Sequence, residues 1–160
     1  MSPPAVTQQA QDILEAYLSQ KGLRRTEERR HILQAIYEEL SHFDADTLHR
    51  HLTQKGLRIS RATVYNTLDL LVECGLVKRY HFSEGPTLYE RSLGRRQHDH
   101  LLCLDCGDIH EFCDPQLGPI IEGVAQLFQM RPTRHELIIY AHCTKTHCPN
   151  RTKNPTFATK

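Results

Sequence analysis

Cysteine, histidine and carboxylate side chains are concentrated in the second half of the chain, at spacings typical of metal ligands. Two cysteine pairs, Cys103-x-x-Cys106 and Cys143-x4-Cys148, provide four thiols. Nitrogen and oxygen donors lie near them in the sequence, at His98, Asp99, His100, Glu111 and His135. Four thiolates favour a closed tetrahedral zinc site, whereas mixed imidazole and carboxylate ligands suit iron, manganese, zinc or nickel and can bind them reversibly. The pattern therefore predicts one structural zinc site and a separate, exchangeable metal site.

Cysteine pairs also form disulfides or pack as small apolar side chains, so the redox compartment decides between these interpretations. The N-terminal segment has no apolar run that could serve as a signal peptide, and no stretch approaches transmembrane length. These features predict a soluble, cytoplasmic protein without a membrane partner, and in reducing cytosol close cysteine pairs are expected to hold metal. Cys74 is interpreted as a core residue at the end of an apolar helix, and Cys113 has no assigned role.

The overall charge of the chain carries no global signature of nucleic-acid binding. The 160 residues have a formal charge of +1, and 39% of them are hydrophobic, which allows one modest core or two small ones. A DNA-binding surface must therefore be local. Basic residues cluster in two places, at Lys21, Arg24, Arg25, Arg29 and Arg30 and at Arg50, Lys55, Arg58 and Arg61. Because such clusters are usually solvated faces, they predict no function by themselves.

The first half of the chain has the apolar periodicity of four helices. Thr26, Asp44 and Ser60 are predicted to cap the second, third and fourth helices, and glycines follow the first, third and fourth at positions 22, 56 and 75. The residues predicted to face inward are Ala10, Ile13, Leu14, Tyr17 and Leu18, then Ile32, Leu33, Ile36, Tyr37 and Leu40, then Ala45, Leu48 and Leu52, and finally Val64, Leu68, Leu71 and Val72.

The fourth helix is chemically asymmetric along its length. Its first two turns present Arg61, Thr63, Tyr65 and Asn66, whereas its later turns present acidic side chains that phosphates would repel. A recognition helix enters the major groove of DNA in this manner, with its early residues at the base edges and its N-terminal dipole favouring phosphate. Arg24, in the loop before the second helix, could reach the DNA backbone or an adjacent minor groove.

Two short strand-like runs follow, residues 76–82 and 87–90, joined by the turn Ser83-Glu84-Gly85-Pro86. Three helices followed by such a hairpin are typical of a winged helix. The same pattern also fits an ordinary small α/β core with polar helix faces.

The rest of the chain predicts a second, smaller domain after a polar hinge at residues 92–97. Residues 98–104, 109–112 and 136–142 read as strands. Pro115 can start a helix that buries Leu117, Ile120, Ile121, Val124, Leu127 and Phe128. Because one sheet and one helix make little core, zinc and a second copy of the chain are expected to supply the missing stability. The domain limits are predicted at 1–91, 98–150 and a flexible tail at 151–160.

Two segments resemble the ferric uptake regulator (Fur) family: Ser60-Arg61-Ala62-Thr63-Val64-Tyr65-Asn66-Thr67-Leu68 and His98-Asp99-His100-Leu101-Leu102-Cys103-Leu104-Asp105-Cys106-Gly107. The resemblance implies an α+β protein with an N-terminal winged helix-turn-helix domain and a C-terminal α/β dimerisation domain stapled by zinc. It also implies a metal-dependent homodimeric transcription factor that represses genes by binding a palindromic, double-stranded operator.

The resemblance also implies a role for each candidate ligand. Cys103, Cys106, Cys143 and Cys148 match the structural zinc site. His42, Glu90, His98, His100 and Glu111 match a regulatory site between the two domains. Strand alternation agrees with this assignment, because it places His98 and His100 on one face and Asp99 on the other.

A further site of the family uses the opposite face of that strand, and here the sequence departs from the pattern. Asp99 and His135 are present, but Gln97 and Gly118 replace the histidine and the carboxylate that the family usually has. An amide oxygen is a poor ligand and glycine has no side-chain donor, so this auxiliary site is expected to be weak or absent.

The regulatory metal is expected to be Fe2+, with Mn2+ or Zn2+ possible. Peroxide-sensing members typically carry aspartates where this chain has Glu90 and Glu111, which argues against that branch. The resemblance is closest to the iron-dependent members of the family, and it implies an iron-responsive repressor of metal-uptake genes. A zinc-responsive uptake regulator is the alternative, because first-row affinities favour zinc over ferrous iron at most such sites.

Two other classes of protein contain similar residues. A zinc hydrolase could use Glu111 or Asp99 as general base beside a histidine-bound metal, but nothing in the sequence marks a substrate cleft. A zinc-ribbon interaction module would leave the histidine cluster without a role. A regulator rather than an enzyme is therefore predicted, and His110, His142 and His147 are interpreted as exposed or packing residues.

Overall fold

The computed structural model describes residues 3–81 and 87–144, and the chain divides into two units, Met1–Arg95 and Arg96–Lys160. Four predicted features lie outside the described residues: the turn at residues 83–86, His147, Cys148 and the tail at 151–160. Among the described residues, no helix combines the length and the apolar character needed to cross a membrane.

The first unit contains the four predicted helices and a small antiparallel sheet. Its elements are α1 (Pro3–Gln20), α2 (Glu27–Glu39), β1 (His42–Phe43), α3 (Ala45–Gln54), α4 (Arg61–Glu73), β2 (Val77–Tyr80) and β3 (Leu88–Arg91). The strands pair in the order β1-β3-β2. The helices and the two longer strands confirm the expected helix-turn-helix and hairpin, whereas the two-residue strand β1 was not predicted.

The helix boundaries follow the predicted local chemistry. The side chains of Thr26, Asp44 and Ser60 accept backbone N–H groups of α2, α3 and α4, which satisfies donors that a helix start leaves open. After α4, Gly75 has φ +74°, a left-handed conformation that glycine adopts without steric cost. The start of α4, the candidate recognition helix, is therefore fixed by the Ser60 cap, and its end by Gly75.

The core of the first unit is formed by the predicted inward faces. Ile32, Leu33 and Ile36 are fully buried, together with Leu48 and Leu68. Leu40 and Val72, which were also expected to face inward, are only partly buried and pack against this core. The apolar face of α4 thus packs against the core, which leaves the exposed face of the helix available for contact with a partner.

The second unit consists of β4 (Asp99–Cys103), β5 (Ile109–Phe112), α5 (Leu117–Leu127) and β6 (Ile138–Ala141). The central strand β4 pairs antiparallel with β5 and parallel with β6. The predicted strands and helix are confirmed, although β6 is shorter than the strand predicted at residues 136–142.

The prediction that α5 buries its apolar face is wrong for the single chain. No residue of α5 is buried, and Ile120, Val124, Leu127 and Phe128 are 59%, 55%, 77% and 63% exposed. An apolar stripe shows that a helix face avoids water, but its periodicity cannot show which chain covers it. The exposed face is instead a candidate contact surface.

Candidate metal centres and nucleic-acid interface

The first cysteine pair forms a tight turn at the end of β4. The Gly107 amide donates to the carbonyl of Cys103 at 2.9 Å, and the Cys103 amide donates to the carbonyl of Asp108 at 2.9 Å. Gly107 has φ +71°, which lets the chain reverse directly after Cys106. Cys103 and Cys106 are both 6% exposed. The turn thus places two buried thiols three residues apart in the sequence.

The parallel strand β6 leads a third cysteine to the same turn. Cys103 pairs in register with Ala141, two residues before Cys143. The carboxylate of Asp105, within the turn, accepts the Cys143 amide at 2.7 Å and lies 2.9 Å from His142 Nδ1. This donor set, with thiols as its soft ligands, fits zinc. The fourth predicted ligand, Cys148, lies outside the described residues.

In the first unit, the pairing of β1 with β3 brings two of the predicted regulatory ligands together. His42 is the register partner of Glu90, and His42 Nε2 lies 3.8 Å from Glu90 Oε2. The Tyr80 hydroxyl donates to the same oxygen at 3.1 Å, and Arg95 Nε lies 2.6 Å from Oε1. Glu90 is only 1% exposed, so its charge is held among polar partners away from bulk water.

In the second unit, β4 and β5 bring together the other three predicted ligands. The rings of His98 and His100 lie edge to face with centroids 4.9 Å apart, and His100 pairs in register with Glu111. His98 Nδ1 lies 2.8 Å from the carbonyl of Arg96, so Nδ1 is the donor, and in the neutral form of the ring Nε2 carries the lone pair. Nε2 faces the Glu111 carboxylate at 3.9 Å. One imidazole is therefore oriented as a metal ligand requires.

Asp99 and His135, the remnants of the auxiliary site, also lie close together. His135 Nε2 is 3.4 Å from Asp99 Oδ1, and the same oxygen accepts the Leu137 amide at 3.1 Å. The Gln97 side-chain amide donates to the carbonyls of His98 and His135, and Gly118 lies in α5 without a side-chain donor. These contacts use Asp99 and Gln97 in structural hydrogen bonds.

The candidate DNA-contacting residues lie at the start of α4 and before α2. Arg61, Tyr65 and Asn66 are exposed, and Tyr65 is 48% exposed despite its large ring. Thr63 is half-buried, and its hydroxyl lies 2.9 Å from the Ser60 hydroxyl, so it takes part in the helix cap as well. Arg24 is exposed. The charged side chain of Arg61 and the aromatic side chain of Tyr65 therefore project from the capped start of α4.

Sequence reasoning missed several residues around these sites. Tyr80 and Arg95 bind Glu90, and Asp105 holds the backbone of Cys143. Only Asp105 had a sequence signal, because it lies between two predicted zinc ligands. Cys74 packs against the core as expected, and burial raises the pKa of its thiol, which keeps it protonated.

The residues without an assigned role have peripheral contacts. Cys113 is exposed and its thiol donates to the carbonyl of Gln97 at 3.2 Å. His110 Nε2 lies 3.8 Å from Asp108 Oδ2, and both side chains are exposed. His142 is also exposed and contacts Asp105. These histidines agree with the interpretation of exposed residues.

The chain is similar over most of its length to known proteins. The profile of the ferric uptake regulator family matches residues 20–140. A ferric uptake regulation protein from Vibrio anguillarum is 35% identical over 141 residues, which covers 86% of this chain and 94% of that protein.

Solved structures show the same fold. A ferric uptake regulator from Vibrio cholerae, 35% identical, superposes with a TM-score of 0.70 and covers 79% of this chain and 96% of that chain. A ferric uptake regulator from Francisella tularensis, solved with iron, is 27% identical with a TM-score of 0.68, covering 77% of this chain and 93% of that chain.

Proposed function

Since the chain belongs to the ferric uptake regulator family, we propose that it is an iron-responsive repressor of metal-uptake genes that acts as a homodimer. Members of this family are metal-responsive, DNA-binding transcriptional regulators, and this chain is one of them. We assign operator binding to residues 1–91 and dimerisation and metal binding to residues 98–150, joined by the hinge at 92–97. Its place is the cytoplasm, where chromosomal DNA is accessible, and its role is regulation rather than catalysis.

The observation that carries the proposal is the presence of two incomplete sets of nitrogen and oxygen donors. His42 and Glu90 form one set, and His98, His100 and Glu111 form the other. Neither set alone supplies the roughly four to six nitrogen and oxygen ligands that a first-row metal ion takes. We propose that one ferrous ion takes ligands from both.

Such an ion would act as a conformational switch for thermodynamic reasons. A ligand shifts an equilibrium between two states only by its difference in affinity for them. An ion whose ligands come from the DNA-binding and the dimerisation domain binds best in the one arrangement that supplies them all. Metal concentration would therefore control the population of the DNA-binding state.

The absence of sulfur from the proposed regulatory set supports a hard or borderline metal such as Fe2+ or Mn2+. Operator affinity measured against buffered Fe2+, Mn2+ and Zn2+ tests the iron proposal, with anaerobic conditions for Fe2+. Iron-responsive repression predicts activation by Fe2+ within its cellular concentration range. Activation by Zn2+ alone would show a zinc-responsive regulator instead.

Operator reading is proposed for the start of α4. Tyr65 and Thr63 would lie at base edges with Asn66 beside them, Arg61 would contact phosphate, and Arg24 would reach the backbone or a minor groove. The exposure of the Tyr65 ring supports this assignment, because a large aromatic side chain at a helix start gains most from a partner surface.

Tyr65→Ala is expected to weaken operator binding by about 1–3 kcal/mol and to reduce discrimination against mismatched sites, because it removes a contact to bases. Arg24→Ala is expected to weaken binding to all sequences and to reduce the salt slope by about one, because it removes a contact to phosphate. Fluorescence anisotropy at several salt concentrations separates the two effects.

Arg131→Ala is the matched control for charge, since Arg131 is exposed and lies in the second unit. It should leave both the affinity and the salt slope unchanged. If Tyr65→Ala and Arg24→Ala behave like this control, the start of α4 is not the DNA-reading surface.

We propose that a second copy of the chain covers the exposed apolar face of α5. Besides its own apolar residues, the unit exposes Met130 at 72%, Ile139 at 40% and Tyr140 at 43%. Val124→Asp combined with Leu127→Asp is expected to shift the protein from dimer to monomer in sedimentation velocity, because both carboxylates would be buried in the interface.

Gln126→Asp adds a carboxylate to another side of the same helix and should leave the dimer intact. Dimerisation that survives the Val124→Asp/Leu127→Asp change would place the interface elsewhere.

A further inference from the structure

Arg95 neutralises one of the proposed regulatory ligands. We propose that Arg95 is a built-in counter-cation of Glu90 that weakens binding of the regulatory ion and so sets the metal concentration at which the sensor responds. This inference rests on the proposed function, because it assigns Glu90 to the regulatory site.

The contact between Arg95 and Glu90 is close and largely shielded from water. Arg95 Nε lies 2.6 Å from Glu90 Oε1, and the two side chains are 16% and 1% exposed. The contact is an ion pair, and partial burial reduces the screening that weakens such pairs at the surface. The carboxylate therefore has a cationic partner supplied by the chain itself.

The two oxygens of Glu90 have different surroundings. Oε1 contacts Arg95, whereas Oε2 accepts the Tyr80 hydroxyl at 3.1 Å and lies 3.8 Å from His42 Nε2. Oε2 is thus the oxygen on the side of the neighbouring candidate ligand. Arg95 leaves that oxygen in place for a metal but occupies the other one, which disfavours bidentate coordination.

The electrostatic consequence has a definite sign. A metal ion bound at Oε2 and the Arg95 guanidinium are both positively charged and lie beside the same carboxylate. They repel each other, so Arg95 lowers the affinity of Glu90 for the metal ion. Without Arg95, the buried carboxylate would lose this cation and would bind a divalent metal more strongly. Arg95 thereby raises the metal concentration required for occupancy, which keeps the site responsive instead of permanently filled.

Arg95→Gln tests this role in the full-length, zinc-containing protein. The free Mn2+ signal in electron paramagnetic resonance reports metal binding directly, without DNA. We expect the variant to bind Mn2+ about ten-fold more tightly, equivalent to roughly 1.4 kcal/mol. Binding equal to or weaker than that of the unmodified protein would overturn the proposal.

Two further variants separate charge from packing and position. Arg95→Lys keeps the cation and is expected to bind Mn2+ much as the unmodified protein does. Arg96→Gln makes the same charge change at the adjacent, exposed arginine and should have no effect. Equal tightening in Arg95→Gln and Arg96→Gln would show a general charge effect, and equal tightening in Arg95→Lys would show a packing effect; either result would overturn the specific role of Arg95.

A stability measurement keeps the test decisive if Arg95→Gln folds poorly. Thermal unfolding with and without Mn2+ should show a larger metal-induced stabilisation in Arg95→Gln than in the unmodified protein, because binding to the folded state alone stabilises it. A variant that stays unfolded at saturating Mn2+ would contradict the proposal.

Failure of the proposed function gives a different result. If His98→Ala/His100→Ala still binds Mn2+ normally, the ligand assignment is wrong and Arg95 loses its proposed role with it. If that double variant loses Mn2+ binding while Arg95→Gln binds no more tightly, only the role of Arg95 fails.

Discussion

Replacing both His98 and His100 with alanine is expected to abolish the metal-dependent part of operator binding. The two rings contact each other on one side of β4, and His98 is oriented with its Nε2 toward Glu111. Removing two imidazoles leaves too few donors for a first-row ion. Since allosteric coupling typically amounts to about 1–3 kcal/mol, the expected loss is roughly 5–150-fold in metal-stimulated affinity. Operator titrations with Fe2+, Mn2+ and Zn2+ measure it directly.

The matched control alters the opposite side of the same strand. Asp99→Asn with His135→Ala removes the auxiliary pair, while the asparagine oxygen can still accept the Leu137 amide. This variant should retain most of its metal response, and both variants should keep the dimer and the structural zinc. If the control loses the response and the histidine variant keeps it, the two faces have been assigned in reverse.

Replacing both Cys103 and Cys106 with serine is expected to release the structural zinc and unfold the second unit. Zinc binding to four-ligand protein sites contributes about 10–16 kcal/mol, which matches or exceeds the total stability of a typical domain. Metal analysis of the purified protein should find about one tightly bound zinc per chain, and the variant should have none. Circular dichroism and sedimentation velocity would then report loss of strand structure and of the dimer.

Cys113→Ser is the matched control, because Cys113 is exposed and its thiol contacts the carbonyl of Gln97 rather than the cysteine turn. It should keep its zinc and its fold. A zinc-free but folded dimeric Cys103→Ser/Cys106→Ser variant would remove the structural role from this site.

Local signals were sufficient to predict most of the fold. Thr26, Asp44 and Ser60 cap helices because a side-chain oxygen at the first position needs only its own neighbours along the chain. The same is true of the cysteine turn, in which ligand spacing and Gly107 act over a few residues. Features that depend only on residues adjacent in the chain can therefore be predicted from the sequence.

Contacts between distant segments were less predictable. The pairing of Arg95 with Glu90 depends on which side chain of a polar linker folds back, and the linker has two adjacent arginines, Arg95 and Arg96, with the same local propensities. The exposure of Leu127 on α5 could not be predicted either, because periodicity identifies an apolar face but not the molecule that covers it. Individual ligands could thus be proposed from motifs, whereas the side chains that tune them could not.

The parallel pairing of β4 with β6 affects the order in which the second unit can fold. Parallel neighbours cannot be joined by a tight turn, so the chain between Cys103 and Ala141 must be closed into a long loop before their hydrogen bonds form. Such non-local contacts make folding slow. The cysteine turn at the end of β4 and Cys143 just beyond β6 lie at the two ends of this loop, where the proposed zinc ion would act as a cross-link. Such a metal would reduce the entropic barrier to strand association, in addition to stabilising the finished sheet.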